Sequence, residues 1–206
     1  MSQWGFYINS SSCTGCKACE LACKDRNNLD VGARLRRVRM LCGGTWEHDE
    51  QLNCYAPRGV FSYAVSFSCG HCDNPSCFAK CPQGAISKDE ETGIVVINEE
   101  ACIGCGTCNL ACPYGACQLI ESEKKSKKCD LCKDLLDAGE DPACVAICPQ
   151  RALFAGDIEE LRRMHGDARD VQPLPPSAET SPNIVITPHK DAVFEKGEGR
   201  PLSLEA

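Results

Sequence analysis

The stretch CIGCGTCNLACP, residues 102–113, decides how the rest of the chain is interpreted. Its cysteines have the spacing C-x2-C-x2-C-x3-C-P and are Cys102, Cys105, Cys108 and Cys112, with Pro113 behind them. This spacing is typical of cysteine ligands to a cubane 4Fe–4S cluster, in which the first three bind one cluster and the fourth binds a neighbouring one. The stretch therefore predicts a second cluster besides its own.

Three further groups of four cysteines supply the remaining ligands. They are Cys13, Cys16, Cys19 and Cys23; Cys69, Cys72, Cys77 and Cys81; and Cys129, Cys132, Cys144 and Cys148. The first group matches residues 102–112 at seven of eleven positions, which marks an internal repeat. The fourth group has an 11-residue gap and alone would also suit structural zinc. However, the last three groups share the ending C-x3-C-P-x2-A, and a shared ending implies a shared role.

Composition excludes several classes of protein. The chain has 206 residues, of which 19 are cysteines, but their grouping behind C-x2-C pairs suits metal binding rather than disulfides. The net charge of −7 argues against nucleic acid, whose binding proteins carry clustered positive charge. No apolar stretch approaches the roughly 18 residues of a membrane span. No signal peptide is visible at the N-terminus.

The segments between the groups predict short strands and one helix. WGFYIN (4–9), ARLRRVRML (33–41), GVFSYAVSF (59–67) and GIVVIN (93–98) are expected as strands, and residues 42–59 as a loop. The helix DIEELRRMH should be capped by Asp157 and end at Gly166. The proline-rich segment 173–188 cannot form a core of its own, so we expect it to lie across the body of the protein or across a partner.

Several charged or reactive residues lie outside the ligand sets. We interpret the arginines of residues 34–39 as a solvated strand face rather than a docking site for an acidic partner, and the lysines at 124, 125, 127 and 128 as a solvated loop. His71 is expected near a cluster but not as a ligand, because four cysteines complete its set. Three ungrouped cysteines, Cys42, Cys54 and Cys117, are interpreted as buried free thiols. A Cys42–Cys54 disulfide would require an oxidising compartment.

The spacing between groups predicts which of them share clusters. The second and third groups lie 20 residues apart with a strand between them, like the halves of a small ferredoxin. Each fourth cysteine then crosses to the other group, which leaves the first and fourth groups to pair with each other. The predicted sets are Cys13, Cys16, Cys19 and Cys148; Cys23, Cys129, Cys132 and Cys144; Cys69, Cys72, Cys77 and Cys112; and Cys81, Cys102, Cys105 and Cys108.

The predicted fold is α+β, with two nested ferredoxin-like modules of short strands and helices around cubane clusters, a β insertion and an extended C-terminal tail. Residues 1–68 hold the first half of the outer module and the insertion, and residues 69–128 form the inner module. Residues 129–166 complete the outer module with a helix, and residues 167–206 form the tail.

Four segments carry a resemblance to a known family: WGFYIN, CTGCKACELACKD, CIGCGTCNLACPYGA and SPNIVITP. Over residues 4–188 the chain resembles the iron–sulfur subunits of molybdopterin oxidoreductases, most closely those of dimethyl sulfoxide reductases. Cys117 departs from the pattern, since the family resembles CPYGAP at that point. The resemblance implies four 4Fe–4S clusters bound by the sixteen grouped cysteines. It also implies two partners, a molybdopterin-containing catalytic subunit and an integral membrane quinol-oxidising subunit, and a location at the membrane as part of their complex.

The leading interpretation is therefore an electron-transfer subunit without an active site of its own. The same subunit type could serve a polysulfide, nitrate or nitrite, formate or aromatic-substrate oxidoreductase. A free-standing enzyme is disfavoured because no dinucleotide fingerprint or P-loop follows a strand, and because complete ligand sets leave no open iron. A zinc-stabilised scaffold is the third class considered.

Overall fold

A computed structural model describes residues 2–194 and 200–201 of the chain. This part is mixed α and β, with small sheets and short helices. Its strands are β1 Trp4–Asn9, β2 Arg37–Asp49, β3 Cys54–Phe67, β4 Ile86–Lys88, β5 Val95–Ile97, β6 Gln118–Ile120, β7 Lys125–Lys127, β8 Leu153–Asp157, β9 Ile184–Thr187 and β10 Arg200–Pro201. Its helices are α1 Ala18–Arg26, α2 Ser76–Ala79, α3 Thr107–Ala111, α4 Lys133–Asp137, α5 Ala143–Ala146 and α6 Ile158–His165.

Strand β1 is the centre of the first sheet, whose order is β8-β1-β9. It pairs antiparallel with β8 and parallel with β9. Alternate side chains of a strand point to opposite faces, and here both faces are covered: Phe6 and Ile8 enter the main core while Tyr7 packs with helix α6 and Val185. The prediction of a strand at residues 4–9 is confirmed.

The proline-rich segment lies across the body of the protein, which is one of the two predicted alternatives. Its apolar residues form β9, and Val185 and Ile186 are fully buried. Leu174 within the segment and Val171 just before it belong to the main core, as does Ile186. The segment therefore completes the sheet that the N-terminal residues start.

Strands β2 and β3 form a long hairpin, which corrects the prediction of a loop at residues 42–59. The ladder continues past Gly43, where a bulge shifts the register, to the pair Asp49 and Cys54. Aromatic and β-branched residues in this stretch, such as Trp46 and Tyr55, favour strand pairing even on an exposed ribbon. The polar residues that suggested a loop are the solvated face of that ribbon.

The ungrouped cysteines are all free thiols, but only one is fully buried. Cys117 lies in the interior with 1% of its surface exposed, Cys42 is half-buried, and Cys54 is exposed. The prediction of buried thiols is therefore wrong for Cys54, because it lies at the far end of the hairpin, opposite Asp49. Cys42 lies opposite Ser62, well separated from Cys54 along the ladder.

Four of the short helices each contain the third cysteine of a cysteine group. These residues are Cys19 in α1, Cys77 in α2, Cys108 in α3 and Cys144 in α5. Helix α1 packs against α5, and α2 packs against α3. The helices of the first and fourth groups thus meet each other, and so do those of the second and third groups.

Helix α6 confirms the predicted boundaries. The carboxylate of Asp157 accepts hydrogen bonds from the backbone N–H groups of Glu159 and Glu160, both at 3.0 Å. Such a cap satisfies N–H groups that have no partner within the helix. The helix ends at Gly166, whose φ of 84° lies in the region that favours glycine.

We expect Ile186→Ala to lower the free energy of unfolding by about 2–5 kcal/mol, because it removes a buried side chain of β9 and leaves a cavity. Val31→Ala is the matched control, since Val31 is fully exposed. Denaturant unfolding of the anaerobically purified protein measures both. Equal stability of the two variants would contradict the assigned role of β9 in the core.

Candidate iron–sulfur sites

Cavities in the structure bring together cysteines from different groups. Three cavities are each lined by four grouped cysteines. We name them site I, with Cys13, Cys16, Cys19 and Cys148; site II, with Cys23, Cys129, Cys132 and Cys144; and site IV, with Cys81, Cys102, Cys105 and Cys108. Each contains three cysteines of one group and the fourth cysteine of another.

The remaining four cysteines also lie together and form site III: Cys69, Cys72, Cys77 and Cys112. Burial, together with the neighbouring charges of Cys69, Cys112 and Cys77, raises the pKa of Cys72 to about 12. The described residues hold no three His, Cys, Asp or Glu side chains close enough to share one metal ion. The four thiols at each cavity instead surround a space, as separate corners of a cubane require.

The turn after the first cysteine of each group is built in the same way. The residue two positions later has a left-handed φ in all four: Gly15 at 70°, His71 at 44°, Gly104 at 67° and Leu131 at 62°. This conformation turns its backbone N–H toward the cysteine sulfur. The N–H···Sγ distances are 3.5 Å at Cys69 and 3.4 Å at both Cys102 and Cys129.

The shared ending C-P-x2-A has a similar explanation. The backbone N–H of the alanine donates to the sulfur of the fourth cysteine: Ala85 to Cys81 at 3.3 Å, Ala116 to Cys112 at 3.4 Å and Ala152 to Cys148 at 3.3 Å. These alanines are buried, so only a small side chain suits the position. Hydrogen bonds to sulfur stabilise its negative charge and are one determinant of cluster potential.

The first group lacks that ending, and a side chain replaces the missing donor. Lys24 follows Cys23 in place of proline. The side-chain amide of Asn27 lies 3.8 Å from the Cys23 sulfur and 2.7 Å from its carbonyl oxygen, donating to both. The first cysteine group therefore still has a hydrogen-bond donor at the sulfur of its fourth cysteine, although it lacks the proline.

Two buried donors without partners fit an anionic group in these sites. Arg36 lines site II, and its Nε has no hydrogen-bond partner. His71 accepts a hydrogen bond from the backbone N–H of Val95 at Nδ1, 3.0 Å away, so its proton is on Nε2, which is also unpartnered. Burial holds the pKa of His71 well below its usual value and keeps the ring neutral. Buried donors normally find acceptors, and cluster sulfide would supply them.

The arginines of residues 34–39 and the lysines at 124, 125, 127 and 128 were interpreted as solvated. This is wrong for Arg36 and Lys128, which are buried. Arg36 is 1% exposed, whereas Arg34, Arg37 and Arg39 are half-buried. Lys128 is buried and donates to the carbonyl oxygens of Val95 and of Cys129, the latter at 2.7 Å. Cysteines of sites II and III lie beside these charges and would compensate them as thiolates once metal binds, which hydropathy alone does not reveal. The sequence offers one sign that Lys128 is buried, namely its position directly before Cys129.

Cys117 lies between sites III and IV. Its thiol hydrogen bonds lower the pKa of both Cys108 and Cys112 to about 6. Hydrogen bonding with these sulfurs and burial raise its own pKa, so Cys117 remains protonated, and its single S–H can serve one of the neighbouring sulfurs at a time. Sequence reasoning identified Cys117 as a buried thiol but did not predict its contact with two ligand sets.

Comparisons with known proteins agree with the chemistry of these sites. A family model described as a 4Fe-4S dicluster domain matches residues 60–158, and one described as a 4Fe-4S binding domain matches residues 4–25. The B subunit of anaerobic dimethyl sulfoxide reductase from Escherichia coli (strain K12) is 48% identical over 191 residues, which cover 93% of this chain and 91% of that protein.

Two more distant similarities support the same assignment. The corresponding reductase subunit of Haemophilus influenzae is 44% identical, over 93% of this chain and 92% of its own. The B subunit of polysulfide reductase from Wolinella succinogenes is 34% identical, over 94% and 98%. These matches define an iron–sulfur electron-transfer subunit that carries 4Fe–4S clusters and is not a catalytic subunit. This protein belongs to the family of anaerobic dimethyl sulfoxide reductase iron–sulfur subunits.

Within the described part of the chain, no helix combines the length and apolar character needed to cross a bilayer.

We expect Gly104→Ala to reduce the iron content and the stability of the protein. A Cβ there would lie 2.1 Å from the backbone oxygen of Lys124, in the turn that directs an N–H to Cys102. Gly106→Ala is the control, because it has a similar φ of 70° but open space around the Cβ. It should cost only the strain of a left-handed residue, about 1–3 kcal/mol. Iron analysis and denaturant unfolding compare the variants, and equal iron loss in both would contradict this explanation.

Proposed function

We propose that this chain relays electrons through four 4Fe–4S clusters, from a membrane quinol-oxidising subunit to a molybdopterin catalytic subunit in a dimethyl sulfoxide reductase-like complex. The observation that carries the proposal is the convergence of sixteen cysteines into four sets of four. Each bound cluster supplies one-electron storage. The protein residues hold the clusters, exclude water and set the stability of each added charge.

The assignment of ligands is part of the proposal. We infer that sites I to IV each hold one cluster, with their four cysteines as its ligands. The mutual packing of α1 with α5 and of α2 with α3 supports two nested modules. The inner module then comprises residues 69–128. The outer module comprises residues 1–68 with the hairpin insertion, and residues 129–166, with residues 167–206 as the tail.

The contacts between sites support a linear order I–II–III–IV. Arg36 lines site II and bonds through Ser66 to Cys19 of site I. The charge of Lys128 acts on Cys69 of site III and on Cys129 of site II. Cys117 then contacts Cys112 of site III and Cys108 of site IV. Each pair of successive sites is thus linked by one residue: Arg36, Lys128 and Cys117 in turn.

The two ends of this order are the parts that reach the surface. Among the sixteen grouped cysteines, all of them in the described residues, only Cys16 and Cys105 are exposed. Cys16 belongs to site I and Cys105 to site IV. A relay between two partners needs this arrangement, with buried intermediate stations and accessible terminal ones. The apolar side chains of Ile103 and Leu110 are exposed beside site IV and suit a protein partner there.

We propose that the chain is peripheral and that the quinol-oxidising partner anchors it. A polysulfide reductase-like complex is the second candidate, and the lower identity of 34% to that relative places it behind the dimethyl sulfoxide reductase type at 48%.

Metal analysis of anaerobically purified protein tests the proposed function. Four sites with four irons each predict about 16 iron and 16 acid-labile sulfide per chain. The same preparation from its native source should contain a molybdopterin-bearing large subunit. Stoichiometric zinc with little sulfide would instead favour the structural scaffold.

Cys23→Ser tests the crossing of ligands. We expect it to damage the cluster of Cys129, Cys132 and Cys144, which lie more than 100 residues away, because the serine oxygen is a poorer ligand at that corner. Cys54→Ser is the control, since Cys54 is exposed and lies outside all four sites.

Electron paramagnetic resonance and iron content report the damage. Site I should keep its spectrum in Cys23→Ser, since its fourth cysteine is Cys148. Damage confined to the cluster of Cys13, Cys16 and Cys19 would show that each group serves only itself.

A further inference from the structure

Arg36 is a buried cation whose hydrogen-bond partners are all neutral. Its Nη1 donates to the hydroxyl of Ser66 at 3.2 Å and to the carbonyl of the same residue at 3.4 Å, and Nη2 donates to the hydroxyl of Ser68 at 3.0 Å. Its Cζ lies 4.4 Å above the centre of the Phe6 ring. Only 1% of the residue is exposed, and its Nε has no partner.

A buried charge of this kind is costly unless an opposite charge lies nearby. The described residues place no carboxylate against the guanidinium. The nearby groups that can become anionic are cysteines of two sites, Cys19 of site I and Cys23, Cys129 and Cys144 of site II. Four thiolates make each loaded site anionic, and reduction adds one more negative charge.

Arg36 acts on the two sites by different routes. It lines the cavity of site II directly, and its Nε is buried without a hydrogen-bond partner. It reaches site I through Ser66, whose Oγ lies 3.2 Å from the sulfur of Cys19. A guanidinium can only donate, so the hydroxyl accepts from Arg36 and directs its own hydrogen to the Cys19 sulfur.

We propose that Arg36 is a positioning residue that raises the reduction potential of the clusters at sites I and II together, directly at site II and through Ser66 at site I. This inference rests on the proposed function, since it requires clusters at both sites. The physical reason is that a fixed positive charge in a region of low dielectric stabilises the reduced, more negative state of each cluster. Net charge and hydrogen bonds to sulfur are recognised determinants of cluster potential.

A purely structural role is the competing explanation. Arg36 also ties the start of β2 to Ser66 on β3 and to Ser68, and under this explanation its loss changes stability alone. Reduction potentials separate the two roles, because a structural role does not predict a selective downward shift at two named sites. The potentials of sites III and IV serve as internal references.

Redox-poised electron paramagnetic resonance of the anaerobically purified holoprotein measures each potential. Signals are assigned by their loss in ligand variants of each site, such as Cys148→Ser for site I. In Arg36→Met, which keeps a long unbranched side chain without the charge, we expect the equilibrium for reduction of site II to fall at least tenfold. This corresponds to about 59 mV for one electron. Site I should shift in the same direction and by less, and sites III and IV should shift by less than twofold.

Two further variants define the routes. Ser66→Ala removes the hydroxyl bridge and should lower the potential of site I while leaving site II unchanged. Arg163→Met is the control: Arg163 lies on α6, is largely exposed and pairs with Glu160. Solvent screens such a charge, so its loss should change the site II equilibrium less than threefold.

The outcomes distinguish failure of this inference from failure of the proposed function. Wild-type protein without about 16 iron and sulfide would reject the function itself. The inference alone would be overturned if wild-type protein has its full clusters and the reduction equilibria of sites I and II in Arg36→Met lie within twofold of wild type. If Arg36→Met loses a cluster, Arg36→Lys and Ser66→Ala decide the matter. The lysine variant keeps the positive charge, so the potential of site II should stay close to that of the wild type. An unchanged potential of site I in Ser66→Ala would contradict the proposed role of Ser66.

Discussion

The left-handed turn after the first cysteine of each group is the constraint on which the iron–sulfur sites depend. It directs a backbone N–H to sulfur at 3.4 to 3.5 Å where the bond is formed at Cys69, Cys102 and Cys129. Glycine adopts this conformation freely at two of the four turns, but His71 and Leu131 do so at a cost of about 1–3 kcal/mol each. Their burial offsets the strain: His71 is held by its bond to Val95, and Leu131 is packed in the main core.

Burial of the sulfurs links metal binding to the stability of the whole chain. Removal from water raises the pKa of thiols such as Cys23, to about 12, so a metal-free chain keeps these groups protonated at neutral pH. Binding of iron must displace those protons, and the resulting charge is what the buried Arg36 and Lys128 compensate. Metal-free protein would therefore leave two buried cations without their main counter-charges, which makes cluster binding part of folding.

The sequence predicts elements with local signals well and those that depend on distant partners poorly. Strand β1 and the Asp157 cap of α6 follow from aromatic content and capping chemistry, which are properties of adjacent residues. The inner parts of β2 and β3 were predicted as strands at residues 33–41 and 59–67. Their continuation toward the tip of the hairpin was missed because that half is exposed and its pairing is seen only between strands.

Charge was predicted least well, for the same physical reason. Arg36 and Lys128 are buried beside cysteine sulfurs that would become anionic on metal binding, and sequence hydropathy has no access to those neighbours. The cysteine groups themselves were evident from spacing, since local loops impose it. Their assignment to individual clusters remains a prediction, which the three lined cavities and the grouping of Cys69, Cys72, Cys77 and Cys112 make specific.

The position of β1 between β8 and β9 has a consequence for biosynthesis. Residues 4–9 leave the ribosome long before their strand partners, residues 153–157 and 184–187. At about 5–20 residues per second, the first strand waits roughly 10 to 35 seconds for the second of these partners. The cysteines of site IV are all available once residue 108 has emerged, whereas those of site I require residue 148. The nascent polypeptide must therefore keep its earliest thiols reduced and unpaired while most of the protein is still being made.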